Sequence, residues 1–288
     1  MEKGNFEIDP PVMNAACSIA KTPEDVERWR NTETGAVLVG SITMEPREGN
    51  PEPRWFAGED YALNSFGMPN EGMEYYRRHL PDMISKTHES GKAFALSIAG
   101  FSPEEYVQLA KMADEVGVDI LELNFGCPNV SESGKQKPIA SFDPDTMVHI
   151  AAEIGKVTDI PQVAKLSPYS DPGKLNEVAG AIIDSENISA VATSNTFPGG
   201  VMLRDGEPVL AAGRGGVSGR SMLPIALGQV QQFRERLPEN MDVIGVGGIE
   251  SGEDADFYFQ VGATAVQAAT MAVRDGHEAI NQIAGSAD

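Results

Sequence analysis

One pattern recurs eight times along the chain: a short run rich in β-branched and small apolar residues, a polar turn, then an amphipathic stretch of helical length. Such alternation describes parallel strands joined by helices. Strands are expected over residues 12–15, 36–41, 93–98, 120–124, 162–166, 190–194, 243–246 and 265–268, with helices near 23–31, 73–89, 103–116, 143–156, 172–184, 222–237, 252–260 and 276–283. Two helix starts are well marked. Thr22-Pro23-Glu24-Asp25 and Ser102-Pro103-Glu104-Glu105 each place an N-cap, then proline, then acids in the first turn. Eight evenly spaced units in 288 residues predict an α/β protein, a closed (β/α)8 TIM barrel spanning 1–288 as one domain, rather than an open doubly wound sheet. Two connections exceed ordinary length: 42–72 after the second strand and 195–220 after the sixth. Both leave the carboxyl end of a strand, the face on which barrels build their sites, so they are expected to form walls over a substrate.

Composition narrows the function. Lys and Arg number 22 against 43 Asp and Glu, a formal net charge of −21, and a surface this acidic repels nucleic acid and anionic membranes. No window approaches the ~18 uninterrupted apolar residues of a membrane span. The polar start Met1-Glu2-Lys3-Gly4-Asn5 lacks the apolar core of a signal peptide, so the cytoplasm is the expected compartment. Two cysteines, Cys17 and Cys127, make no disulfide framework and are too few to ligate an iron–sulfur cluster. The four histidines pair with no other metal-ligating group at ligand spacing, so no metal site is expected.

Chemistry concentrates at the strand ends. In Leu123-Asn124-Phe125-Gly126-Cys127-Pro128-Asn129 the fourth strand closes on Asn124, and the loop beyond carries a thiol between two carboxamides. A thiol, with an ordinary pKa of about 8.5, can serve as base or nucleophile near neutral pH. Asparagine both donates and accepts, which suits a planar ring bearing imide groups. Asn64-Ser65-Phe66-Gly67-Met68-Pro69-Asn70, inside the first long connection, repeats the theme of a carboxamide beside a glycine turn. Lys165, amid the apolar residues of the fifth strand, needs an anionic or electron-rich partner, and the reduced edge of a flavin is one. Asn195 and Thr196 follow the sixth strand. Glycine-rich turns at Gly215-Gly216 and Gly247-Gly248, with Ala269-Thr270 after the last strand, have the composition of a phosphate cradle. Cys17, just past the first strand, reads as a packing residue near that flavin.

These segments, in this order, resemble the dihydroorotate dehydrogenases over nearly the whole chain. The likeness is to the soluble, cysteine-base class, and the loop Arg47-Glu48-Gly49-Asn50-Pro51-Glu52-Pro53-Arg54 resembles that of its homodimeric, fumarate-using branch. The resemblance implies FMN held by Ala15, Ala16, Ser41, Asn124, Lys165, Gly215, Gly216, Gly247, Gly248, Ala269 and Thr270. It implies a pyrimidine bound by Asn64, Phe66, Gly67, Met68, Asn124, Asn129, Asn195 and Thr196. Cys127 would take the C5 proton of dihydroorotate while hydride leaves C6 for flavin N5. The implied acceptor is fumarate; an NAD-linked enzyme would instead need an electron-transfer subunit.

One position departs from the family pattern. The second strand of these enzymes ends with a lysine that touches flavin and substrate, and Val39-Gly40-Ser41 puts glycine there. Either another cation substitutes, with Arg47 and Lys135 as candidates, or the substrate is not dihydroorotate. Dihydropyrimidine dehydrogenase, acting on uncharged rings, is the main alternative. The tRNA-dihydrouridine synthases share the Cys-Pro segment but need basic surface, which this chain lacks. A barrel retained for binding alone is the non-enzymatic alternative.

Overall fold

Every residue of the second strand is buried, because its two faces meet two different apolar environments. Val37 and Val39 pack outward against helices, whereas Ala36 and Leu38 belong to the smaller cluster inside the sheet. The period-two alternation of a strand therefore separates two cores.

The computed structural model describes residues 8–127, 131–132, 135–136 and 139–284. Its barrel strands are β1 (Val12–Asn14), β2 (Ala36–Ile42), β3 (Ala93–Ile98), β4 (Ile120–Asn124), β5 (Gln162–Leu166), β6 (Ile188–Thr193), β7 (Asp242–Val246) and β8 (Ala265–Ala268). All are parallel, each pairs with its neighbours in sequence order, and β8 closes on β1 through Val12↔Val266 to Asn14↔Ala268. The interior is filled largely by small side chains such as Ala36, Ala95, Ala190, Ala192 and Ala265, with Met13, Leu38, Ile120 and Ile244 among them. This is the TIM barrel that the eightfold pattern predicts.

Helices α1 (Pro23–Trp29), α2 (Met73–Glu89), α3 (Pro103–Val116), α4 (Pro144–Ile154), α5 (Pro172–Asp184), α6 (Leu223–Arg234) and α7 (Gly252–Gln260) follow seven of the strands at the expected places. The eighth differs. Helix α8 (Thr270–Asp275) starts almost directly after β8 and stops at Gly276, whose φ of 100° ends it, and the expected 276–283 segment is instead a 3-10 turn, His277–Ile280, followed by Asn281–Ala284. Among the described residues, no helix is long and apolar enough to cross a membrane.

The two long connections are also more ordered than loops. Trp55–Ala57 and Ala62–Asn64 from the first, with Phe197–Gly200 and Gly215–Ser218 from the second, form one four-stranded antiparallel sheet. Gly216 pairs with Asn64 and Val217 with Leu63, so the two expected walls form a single cap. Asn70 secures the base of the first connection. It accepts from the backbone N–H groups of Thr43 and Gly72 and donates to Thr43 Oγ1 and the Met68 carbonyl.

Barrel closure is thinnest between β1 and β2, where the ladder register contains one residue pair, Met13↔Ala36. The fully buried Asn14 side chain substitutes for ladder bonds there, donating to the Leu38 carbonyl at 2.6 Å and accepting from Leu38 N–H at 2.9 Å. Removing it strands a buried donor and a buried acceptor. Asn14→Leu is therefore expected to lower unfolding free energy by about 2–5 kcal/mol, read as an earlier urea midpoint at unchanged slope. A midpoint close to the parent's would show that the seam does not depend on Asn14.

Candidate active site

Three polar side chains interrupt the apolar strands, each on the inward side of the alternation. Glu122 lies between the outward Leu121 and Leu123, Lys165 between Ala164 and Leu166, and Gln267 between Val266 and Ala268. They meet inside the barrel. Lys165 Nζ donates to Gln267 Oε1 at 2.5 Å and lies 3.7 Å from Glu122 Oε2, while Gln267 Nε2 donates to that carboxylate oxygen at 2.9 Å. All three are at most 5% exposed, so the contacts replace hydration rather than add to it. Burial pulls the Lys165 ammonium below its ordinary pKa, and Glu122 pulls in the opposite direction.

Above this base runs a row of hydrogen-bonding side chains. Ser97 and Ser41 share a hydroxyl contact at 2.8 Å, Asn124 Nδ2 donates to Ser41 Oγ at 2.7 Å, and Asn195 Nδ2 donates to Asn124 Oδ1 at 3.3 Å. Tyr106 holds the Asn124 backbone carbonyl at 3.0 Å, and Thr196 N–H holds Asn195 Oδ1 at 2.7 Å. Strands β2, β3 and β4 and the loop after β6 thus fix the carboxamides in one chain of hydrogen bonds.

A cavity opens over this row, and Cys127 lines it together with Asn124, Asn195 and Thr196. The cap supplies Trp55, Asn64, Phe66, Gly67 and Met68. Trp55 and Phe66 stack with ring centres 5.9 Å apart, and Asn64 Nδ2 donates to the Gly216 carbonyl at 3.4 Å. Met68 has φ of 57°, uncommon for a residue with a side chain, at the point where the loop meets the cavity. Ala15, Ala16 and Ser41 form another part of the wall, and Gly247, Gly248, Ala269 and Thr270, after β7 and β8, a further part.

Most of the residues expected from sequence therefore meet in one cavity. Two do not: Gly215 and Gly216 lie within a cap strand paired with Asn64, leaving the wall to Val217, Ser218 and Gly219. A Cβ at position 215 would fall 2.4 Å from the Asn64 carbonyl oxygen, so that glycine allows the close strand approach. Asn129 lies outside the described residues. Arg47 does not reach the wall either. Its backbone pairs with Asn70, its Nε donates to the Gly67 carbonyl, and its guanidinium sits 4.9 Å from the centre of the Phe101 ring. The side chain of Lys135 lies outside the described residues.

A second cation on the wall, besides Lys165, is Lys21, from the loop between β1 and α1, which its sequence context does not mark. Its Nζ donates to the Pro69 carbonyl. Burial lowers its pKa to about 8, opposed by the Cys17 and Cys127 thiols, while Arg54 lowers it further. Glu122 and Gln267 were also missed. Their signal was present, since a polar residue at the inward position of an apolar barrel strand needs a partner within the barrel.

Buried polar atoms show what the cavity can hold. Among the described residues, Glu122 Oε1, Ser194 Oγ and Ser218 Oγ have no hydrogen-bond partner, and their residues line the cavity. Buried donors and acceptors of this kind suit a polar ligand that satisfies them.

Comparison with known proteins gives a consistent result. The family model described as dihydroorotate dehydrogenase matches residues 4–286. A Streptococcus pneumoniae protein named probable dihydroorotate dehydrogenase A (fumarate) is 34% identical over 281 residues, covering 96% of this chain and 88% of the relative. The Trypanosoma cruzi dihydroorotate dehydrogenase (fumarate) is 35% identical over 275 residues, covering 92% and 84%. A crystal structure of the Eimeria tenella DHODH superposes with a TM-score of 0.83 over 99% of this chain and 83% of that one, at 19% identity, and supports the fold.

Two outcomes test the electrostatics of the site. Lys165→Met leaves the Glu122 carboxylate buried without its cation and is expected to cost about 3–5 kcal/mol of stability, with the Lys165→Met/Glu122→Gln pair recovering more than half. Urea unfolding of the four proteins measures this, and a double variant no more stable than Lys165→Met would contradict the pairing. Burial pushes the Cys17 thiol up to about 12. Iodoacetamide at pH ~8 should therefore leave Cys17 unmodified in the folded protein and label it only after unfolding, as read by peptide mass spectrometry.

Proposed function

The chain belongs to the dihydroorotate dehydrogenase family, and we propose that it oxidises dihydroorotate to orotate, with FMN as its cofactor and fumarate as the final electron acceptor. The observation that carries this reading is the meeting of Cys127, the Asn124–Asn195 carboxamides and the buried Lys165 at one barrel mouth.

The reaction removes a proton and a hydride from adjacent ring carbons. FMN, when bound, supplies the two-electron acceptor for the hydride. The chain's own residues do the rest. Ala15, Ala16 and Ser41 would border the flavin ring, with Lys165 beside its electron-rich edge and Gly247, Gly248, Ala269 and Thr270 at its phosphate. The carboxamides of Asn64, Asn124 and Asn195, with Thr196, present donors and acceptors to the amide and imide groups of the pyrimidine, and Asn129 belongs to the same proposed set. Cys127 takes the C5 proton, and the cap excludes water while it does so. Because Lys165 is already held by Glu122 and Gln267, it meets its ligand as a fixed cation rather than one that must be ordered on binding. Fumarate is the acceptor named for the relatives; a homodimer in the cytoplasm, working without an electron-transfer subunit, is part of the same proposal.

Anaerobic bleaching of the flavin band tests the assignment. Dihydroorotate should bleach the purified protein, and dihydrouracil should not. Cys127→Ala is expected to retain FMN and its yellow colour while flavin reduction by dihydroorotate slows roughly 10²- to 10⁴-fold. Reduction at near-parent rate would remove Cys127 from the proton transfer.

A further inference from the structure

We propose that the Lys21 ammonium binds the carboxylate of the pyrimidine substrate and so sets the preference for a carboxylated over an uncharged ring. This deepens the function proposed above and rests on it. Among the described residues, four charged side chains line the cavity: Lys21, Glu122, Lys165 and Glu250. Three are committed. Lys165 is held by Glu122 and Gln267, and Glu250 accepts from Arg274 at 3.3 Å. Among the described residues no carboxylate forms an ion pair with the Lys21 ammonium, although Asp25 acts on it as a nearby charge. Asp25 nearby accepts instead from the backbone N–H groups of Lys21 and Thr22, as the cap of α1. The contact that fixes Nζ is the Pro69 carbonyl, which uses one of three ammonium donors.

Substrate chemistry places the requirement at this point. In dihydroorotate the carboxylate sits on C6, next to the C5 that loses its proton, so its binding group must lie close to the base. Lys21 and Cys127 share the cavity and are near enough to interact electrostatically. Lys21 also adjoins the Gly67–Pro69 segment, so a carboxylate there is enclosed by the same connection whose strand carries Asn64. Position 40, near the end of β2, offers no side chain there. Gly40 has φ of 131°, and a Cβ on it would stand 2.4 Å from the Ser97 carbonyl oxygen. The wall is bare at Gly40, and the cation approaches from the β1–α1 loop.

The test compares orotate with uracil, which has the same ring without the carboxylate. Dissociation constants are measured by perturbation of the flavin spectrum in the FMN-loaded parent, Lys21→Met and Lys21→Arg. Lys21→Met should weaken orotate binding roughly 30- to 1,000-fold while changing uracil binding by less than about 3-fold, and Lys21→Arg should recover most of the orotate affinity. Unchanged orotate affinity in Lys21→Met overturns the proposal. Equal losses for both ligands do so as well, because they would mean that Lys21 only supports the loop. A parent that neither binds orotate nor is bleached by dihydroorotate removes the function itself, a result distinct from either behaviour of the variant.

Discussion

A lysine ammonium buried inside an apolar barrel is tolerated only if the protein supplies the anion and hydrogen bonds that water no longer provides. Here Glu122 and Gln267 supply them, from strands β4 and β8, to a lysine on β5. The contact joins positions 145 residues apart in sequence and fixes which residues face the mouth on three strands at once. A slip of one residue in any of these strands would turn its polar side chain outward into the helix layer. The electrostatic centre of the cavity and the register of the barrel therefore have a common origin.

The cap follows from a different constraint. Two long connections leaving the same face would each expose unpaired backbone, and they resolve this by pairing with one another, Gly216 with Asn64 and Val217 with Leu63. Asn64 thereby reaches the cavity from a strand rather than from an unsupported loop. The aromatic stack of Trp55 on Phe66 and the carboxamide of Asn70 hold the remainder of the first connection in place. A rigid floor and a paired cap together give a site whose polar groups are largely set before a ligand arrives.

Much of this was legible from short-range pattern. Strand positions follow from β-branched runs, all of the first seven helices begin within a residue of expectation, five of them at a capping side chain, and the residues at strand ends are necessarily near the mouth. Asn124, Cys127, Lys165 and Asn195 could be found that way, since each is only a few residues from a recognisable strand. The eighth helix is expected to begin at Gly276, whereas Gly276 ends the helix that lies there.

The sequence alone determined the eightfold barrel and the identity of the groups at its carboxyl ends, because those depend on periodicities of two and 3.6 residues that any local window contains. Tertiary structure decided which groups meet. It moved Gly215 and Gly216 off the cavity wall, tied Arg47 to the loop, matched Lys165 with Glu122 and Gln267, and brought Lys21 to the mouth. None of these has a local signature. A loop side chain takes its direction from partners such as the Pro69 carbonyl, 48 residues away, and no repeat in the intervening sequence encodes that contact.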